Sequence, residues 1–283
     1  MAPFIGSREH KELLCKFFVE THDPYKPAEL AWPKLDEDAR KRLASLPIWE
    51  EAVRTEADTA LAVITMGQAE KDPMLSEAIS LQGYEEQRHA EILKLLTQKY
   101  GIPVPEFTAH RPPDPDWAFM RIGYGECFDS FFAFGLFALA RDSGFFPPEL
   151  VTMFEPVMAE EGRHIIFHVN WVAYNQAQLP YATKPAYVFR RGLAMWLQMV
   201  SRFKTALRVK GKNDRAQDNF TMSAHKSFGD ISPREFVELC LAENAKRLKP
   251  YDKRLLRPEF VPAVAKAVLK TLPKKPVAEA VAA

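Results

Sequence analysis

Glutamate and histidine recur in this chain in a pattern that can hold metal ions. Glu85-Glu86-Gln87-Arg88-His89 and Glu160-Glu161-Gly162-Arg163-His164 are the same pattern, Glu-Glu-x-Arg-His, written twice. Both stretches read as helical, and a helix brings residues three apart onto one face. Glu86 and His89 therefore point the same way, as do Glu161 and His164. Each motif is preceded, several turns earlier, by another helical glutamate, Glu56 for the first and Glu126 for the second. Two Glu-x-x-His pairs and two single glutamates form the ligand set of a carboxylate-bridged two-metal centre inside a four-helix bundle.

A buried carboxylate is costly unless paired or metal-bound. Four glutamates on otherwise apolar helical faces thus need one common explanation, and two cations supply it. Four carboxylates against two divalent ions leave the site near neutral, and neutral imidazoles complete the shell. The reading places Glu56 and His89 on one metal, Glu126 and His164 on the other, and Glu86 and Glu161 as bridges. Glu85 and Glu160 lie one turn before the histidines of their own motifs. They suit a supporting role in which a carboxylate accepts a ring N–H and fixes the tautomer. Arg88 and Arg163, three residues further on, can compensate the added negative charge.

With these residues in place, the chain resembles the ferritin-like di-iron carboxylate superfamily, and within it the oxygen-activating group. That group is marked by a helical Glu followed by Asp/Glu-Glu-x-Arg-His, twice. Here 28 residues separate Glu56 from Glu85 and 33 separate Glu126 from Glu160, both within the group's pattern. The resemblance covers residues 47–178. It implies an all-α fold, a ferritin-like four-helix bundle with a long crossover and additional N- and C-terminal helices. It also implies two iron ions, with manganese and iron as a variant. The implied reaction is oxygen activation to hydroxylate, desaturate or N-oxygenate an organic substrate. A rubrerythrin-like peroxidase, a ferroxidase or iron-handling protein, and a manganese–iron ligand-binding oxidase are the alternatives.

The elements that must position these residues follow from periodicity and breakers. An amphipathic helix is expected within residues 1–20, then a Pro-rich loop and a helix over 37–45 begun by Asp36. The bundle helices are expected over 47–70, 73–100, 116–141 and 148–178, with Pro47 in the first turn of the first. A crossover loop with Pro103, Pro105, Pro112, Pro113 and Pro115 divides the two hairpins. Further helices are expected over 184–210, from a capping box at Ser232 to 248, and over 260–272, with loops after Lys210 and a frayed tail from Lys274. Three segments result: a helical extension at 1–46, the bundle at 47–182, and a basic helical region at 183–283 packed on it.

Several residues carry two readings. His168, four residues after His164, is an extra ligand or proton donor, or a hydrogen-bonded core histidine. Asp129 supports a ligating histidine or forms a salt bridge. Cys127, next to Glu126, packs in the core or takes the radical-transfer role that the resemblance implies for a nearby cysteine or tyrosine; Tyr84 and Tyr124 invite that same idea. The third bundle helix is rich in phenylalanine, as core or as the wall of a dry pocket beside Glu126. Its Gly123, Gly125 and Gly135 suggest close packing, local unwinding or substrate access. His10, His22, His110 and His225 have no helical partner pattern.

Bulk properties frame the rest. The chain has 283 residues, a net charge of +1 and three cysteines with no CxxC. That excludes a rubredoxin-type module and a disulfide framework. No signal-peptide layout and no apolar run suited to a membrane span stand out, so a cytoplasmic setting is expected. Residues 1–182 are net acidic and 183–283 net basic, carrying 21 Lys or Arg against 9 Asp or Glu. The basic third is a solvated counterweight or meets an anionic partner: an acyl carrier protein, a coenzyme A ester, a phospholipid surface, a reductase or RNA. Without a flavin or nicotinamide fingerprint, electrons must come from an external donor such as a ferredoxin or reductase. Dioxygen and a hydrophobic, carrier-bound or free, small organic substrate complete the expected partners, and a homodimer is one candidate assembly, as helical bundles of this kind often dimerise.

Overall fold

A computed structural model of the chain describes residues 2–46, 48–211 and 231–273. Pro47, the sequence 212–230 with His225, and the tail from Lys274 lie outside the described residues. Among those described, the secondary structure is helical throughout, with no strand.

The helices are α1 (Arg8–Glu20), α2 (Glu37–Ala44), α3 (Trp49–Ala69), α4 (Pro73–Lys99), α5 (Pro115–Ser143), α6 (Pro148–Thr152), α7 (Glu155–Gln178), α8 (Lys184–Gly211), α9 (Pro233–Leu248) and α10 (Phe260–Leu269), with a 3-10 turn at Pro27–Glu29. Local chemistry sets their starts. Asp72 accepts the Met74 and Leu75 N–H groups ahead of Pro73. Asp114 does the same for Trp117 ahead of Pro115, and Ser232 and Glu235 close the expected capping box.

One expected helix is two. The stretch 148–178 breaks at Met153–Phe154 into α6 and α7. Pro156 sits in the first turn of α7; it has no N–H to give Thr152, so a continuous helix is lost there. The basic helix, by contrast, runs through Lys210 and Gly211.

The hairpin α3–α4 packs along its length, α5 packs on α7, and α3 crosses to α5. α1 lies against α4 and α7, α8 against α5, and α9 against α5. The N-terminal half of α5, with Phe119 and Met120, feeds a core shared with α1, α4 and α7. Its C-terminal half, with Phe131 and Phe137, feeds a second core with α2, α6, α9 and α10. Glu126 falls where the two meet.

Among the described residues, α5 is the one helix long and apolar enough to cross a membrane. Two thirds of its apolar window is buried in the protein, so its hydropathy is accounted for by the core. The helix is unbroken, so its glycines do not unwind it. Gly123 and Gly135 instead allow close approach. A Cβ at Gly123 would lie 2.0 Å from His168 Nδ1, and one at Gly135 would lie 2.4 Å from Cys240 Sγ.

Candidate metal centre

The two motifs sit in α4 and α7, Glu56 in α3 and Glu126 in α5. Packing brings the six proposed ligand residues together, with Glu86, His89 and His164 buried and Glu56, Glu126 and Glu161 partly exposed. Glu56, Glu86 and His89 form one group whose ligand atoms could share a cation, and Glu86, Glu161 and His164 form another. Glu86 belongs to both. Its Oε1 is 2.8 Å from His164 Nδ1 and its Oε2 is 3.6 Å from His89 Nδ1. Glu161 also reaches both sides, with Oε1 3.4 Å from His89 Nδ1. Glu56 Oε2 is 3.7 Å from that same nitrogen. Glu126 stands beside the two groups, accepting a 3.4 Å hydrogen bond from Gln82 Nε2.

Several inward atoms make no well-directed hydrogen bond: Nδ1 of His89, Oε1 of Glu126, and the His164 Nδ1 and Glu86 Oε1 pair, which lie 2.8 Å apart but are poorly aligned. Buried polar atoms are nearly always satisfied, so a set of orphans facing one point calls for a shared occupant. Glu86, His89 and His164 are each at most 2% exposed. Oxygen and imidazole donors in this mixture suit a first-row transition metal. The residues present therefore fit a metal ion.

Electrostatics tell the same story without a cation. Burial raises the Glu56 carboxyl to about 7, helped by the Glu86 charge and opposed by His89. Burial and then Glu86 push Glu126 well up. Burial works against charge on His89 and His164, yet the ring of carboxylates raises both above the ordinary histidine value. Burial likewise opposes a charged Glu86, but His164 and His89 hold it below the usual carboxylate range. Protons here do the balancing that cations would do.

The supporting shell differs from the expectation in one respect. Glu85 and Glu160 do not serve the histidines of their own motifs. Glu160 Oε2 lies 2.8 Å from His89 Nε2, and Glu85 Oε2 lies 2.9 Å from His164 Nε2. The arginines cross as well: Arg88 pairs with Glu160, and Arg163 Nη1 donates to Glu85 Oε1 at 2.6 Å. The cause is helical geometry. Glu85 is rotated about 100° from Glu86, so it faces α7 while Glu86 and His89 face the centre. Burial opposes the Glu85 charge, but His164 and Arg163 lower its carboxyl to about 2. Each carboxylate takes one ring nitrogen, and the opposite nitrogen is left aimed at the centre.

Residues missed by sequence reasoning come from the segment after α1. His22 Nδ1 lies 2.5 Å from Glu85 Oε1, and Tyr25 Oη donates to Glu160 at 3.2 Å. Arg88 Nη1 donates to the carbonyls of Asp23 and Tyr25, and Arg163 Nε donates to Thr21 Oγ1 at 2.9 Å. The N-terminal extension at 1–46 thus forms the back wall of the site. His22, Glu85 and Glu160 could themselves group around an ion. Arg88 and Arg163 already neutralise those carboxylates, so that group needs none. Ser130, whose hydroxyl donates to Glu161 Oε2 at 2.9 Å, was also missed. The legible signals were a polar Gln82 on the Glu86 stripe and a serine one turn after Glu126; nothing local marked His22.

The remaining candidates are placed as follows. His168 is fully buried with both ring nitrogens unpaired. It packs on Gly123, Tyr124 and Trp171, outside both ligand groups. Burial, with Arg191 nearby, lowers it to about 3. Asp129 pairs with Arg202 of α8. Tyr124 accepts from Arg191 Nε at 2.7 Å, Tyr84 is half exposed against Arg88, and Cys127 is buried in the core.

An apolar cavity of about 450 Å³ opens from the ligand cluster, a size suited to a small organic molecule. Glu56, Glu86, Glu126 and Glu161 form its polar end. Leu43, Trp49, Phe146 and Leu150 line it farther out. The α5 wall is mostly small or aliphatic, with Gly125, Ala133, Leu136 and Ala140; of the helix's phenylalanines only Phe137 lines it. The others, such as Phe119 and Phe134, are core. No protein-family model, curated protein or solved structure matches the chain.

Proposed function

We propose that the protein is a non-haem di-iron oxidoreductase, built on a ferritin-like four-helix arrangement of α3, α4, α5 and α7, that uses dioxygen to oxidise an apolar organic substrate. The observation that carries this reading is the pair of buried imidazoles, each with Nδ1 directed at shared carboxylates and Nε2 held by an arginine-compensated glutamate. Two iron ions held by Glu56, Glu86, His89, Glu126, Glu161 and His164 would supply dioxygen binding and redox equivalents.

The chain's own residues do the rest. Glu85 and Glu160 keep the ring proton on Nε2, which reserves Nδ1 for the metal. Arg88 and Arg163 keep those carboxylates from adding net negative charge. Glu56 and Glu126, whose carboxyls hold protons in the metal-free chain, would release them as they take up a cation. The cavity's aliphatic walls exclude water and place an apolar substrate beside Glu126. A role in iron storage or handling would not require such a cavity. Hydroxylation, desaturation and N-oxygenation all remain within this reading, and an external reductant supplies the electrons.

The test is direct. Anaerobic titration of the purified protein with ferrous ion should saturate near two metals per chain, and Glu86→Ala with His164→Ala should abolish it. Stopped-flow mixing of the loaded protein with oxygen should give a transient visible absorption band. Fewer than about one metal per chain, or an unchanged double variant, would refute the metal centre. Full loading without any transient would refute oxygen activation alone.

A further inference from the structure

The outward half of α8 is apolar. Val188, Phe189, Leu193, Trp196 and Leu197 are all exposed, Phe189 by 72% and Trp196 by 57%. At 100° per residue they fall on one arc of about half the helix circumference. Ala194, on the other side, is fully buried in the core. Between Pro185 and Val200 the outward arc carries no charged side chain. Tyr181, 89% exposed, extends the patch past the helix start. Phe4 and Ile5, also exposed, lie at that end, where Gln178 Nε2 donates to Gly6 O at 2.5 Å. Contiguous exposed apolar surface of this kind marks an interaction site.

Charge decides which partner. The 28 residues of α8 contain seven Lys or Arg and no Asp or Glu. Arg190, Arg191 and Arg202 turn back to Asp114, Tyr124 and Asp129 of the α5 region. Lys184 sits 4.6 Å from the exposed Tyr181 ring, and Lys204 is exposed. An antiparallel two-fold contact through the arc would set Lys184 of one copy near Lys204 of the other, which like-charge repulsion opposes. The arc offers little beyond the Trp196 indole N–H for hydrogen bonding, so it has few groups to register a protein partner. An apolar Trp/Phe/Leu face on a helix whose charges are all positive is the pattern of a helix lying in the interface of an anionic bilayer.

We propose that α8 docks the protein on an anionic lipid surface, with Phe189 and Trp196 inserted among the acyl chains. The same helix reaches the cavity at Arg202, so a docked molecule would hold its apolar cavity close to a lipid phase. This docking does not depend on the metal chemistry.

Full-length protein should sediment with phosphatidylcholine vesicles containing phosphatidylglycerol. Binding to phosphatidylcholine alone should be roughly tenfold weaker or more, the scale of one or two basic side chains near a charged surface. Added salt should weaken the anionic binding. Phe189→Glu with Trp196→Glu should abolish sedimentation while helical circular dichroism and ferrous uptake stay unchanged, since both side chains are on the surface. Lys204→Glu should lower the affinity for the anionic vesicles alone. Equal binding with and without anionic lipid, or no binding, would overturn the proposal. So would a dimer in sedimentation velocity that Phe189→Glu/Trp196→Glu dissolves, because the face would then belong to a second copy.

Discussion

At the scale of residues, the site is organised by a crossed exchange. Each motif supplies the carboxylate that orients the histidine of the other, so neither half is complete alone. Removing one such carboxylate leaves a ring free to turn, and supporting-shell losses of this kind cost roughly 10–100-fold in metal affinity. Glu85→Gln should therefore weaken ferrous binding by about that factor. The crossed geometry makes a sharper prediction in a double-mutant cycle. Glu85→Gln should couple strongly with His164→Ala and weakly with His89→Ala, measured by anaerobic titration. Stronger coupling to His89 would mean that each carboxylate serves its own helix. The residues that hold this shell from behind, His22, Thr21 and Tyr25, carry no periodic signature, since they lie in a loop and act partly through backbone carbonyls. Gln82 and Ser130 were more legible, because a polar side chain on an apolar helical stripe already asks for a buried partner.

At the scale of elements, the contact of α5 with α7 explains two oddities together. Gly123 has no side chain because His168 occupies its place, and His168 is enclosed by Phe119, Tyr124 and Trp171. A histidine lowered to about 3 on folding is neutral in the folded chain while its unfolded counterpart charges below about 6.5. The unfolded state then binds more protons between those values, so stability rises with pH there. The stability owed to a neutral His168 is complete above about pH 6.5 and is lost as pH falls toward 3. His168→Leu should flatten this part of the acid limb, by up to about 1.4 kcal/mol per pH unit. Urea melts of both proteins at a series of pH values would show it, and parallel curves would mean that His168 takes up its proton as readily folded as unfolded. Helix existence and most boundaries follow from caps and breakers within a few residues. The split at Met153–Phe154 comes from Pro156, whose effect a continuous apolar pattern over 148–178 masks in the sequence.

At the scale of the whole molecule, four helices enclose a cluster of carboxylates and imidazoles that protons satisfy only in part. A cation binding the folded chain and not the unfolded one stabilises it by mass action. Saturating ferrous or manganous ion should raise Tm, and a chelator should reverse the rise. At a free concentration a hundredfold above Kd the gain is about 2.7 kcal/mol. Glu86→Ala with His164→Ala should remove the metal dependence, followed by differential scanning calorimetry. An identical Tm with and without metal would remove the centre from the account of the fold.

The sequence by itself determined the helices, the six candidate ligands and the acidic–basic division, because each depends on spacing or composition within one segment. It also named Glu86 and Glu161 as the proposed bridges between the two sides of the centre. Only the tertiary structure decided the crossed pairing of Glu85 with His164 and Glu160 with His89. It alone brought in His22 and Tyr25, sent Asp129 to Arg202, and left His168 apart from the ligands. It also turned the apolar arc of α8 outward. The reason is common to all five. Periodicity says which side chains share a face of one helix, whereas the partner of a face depends on how helices distant in sequence are rotated against one another.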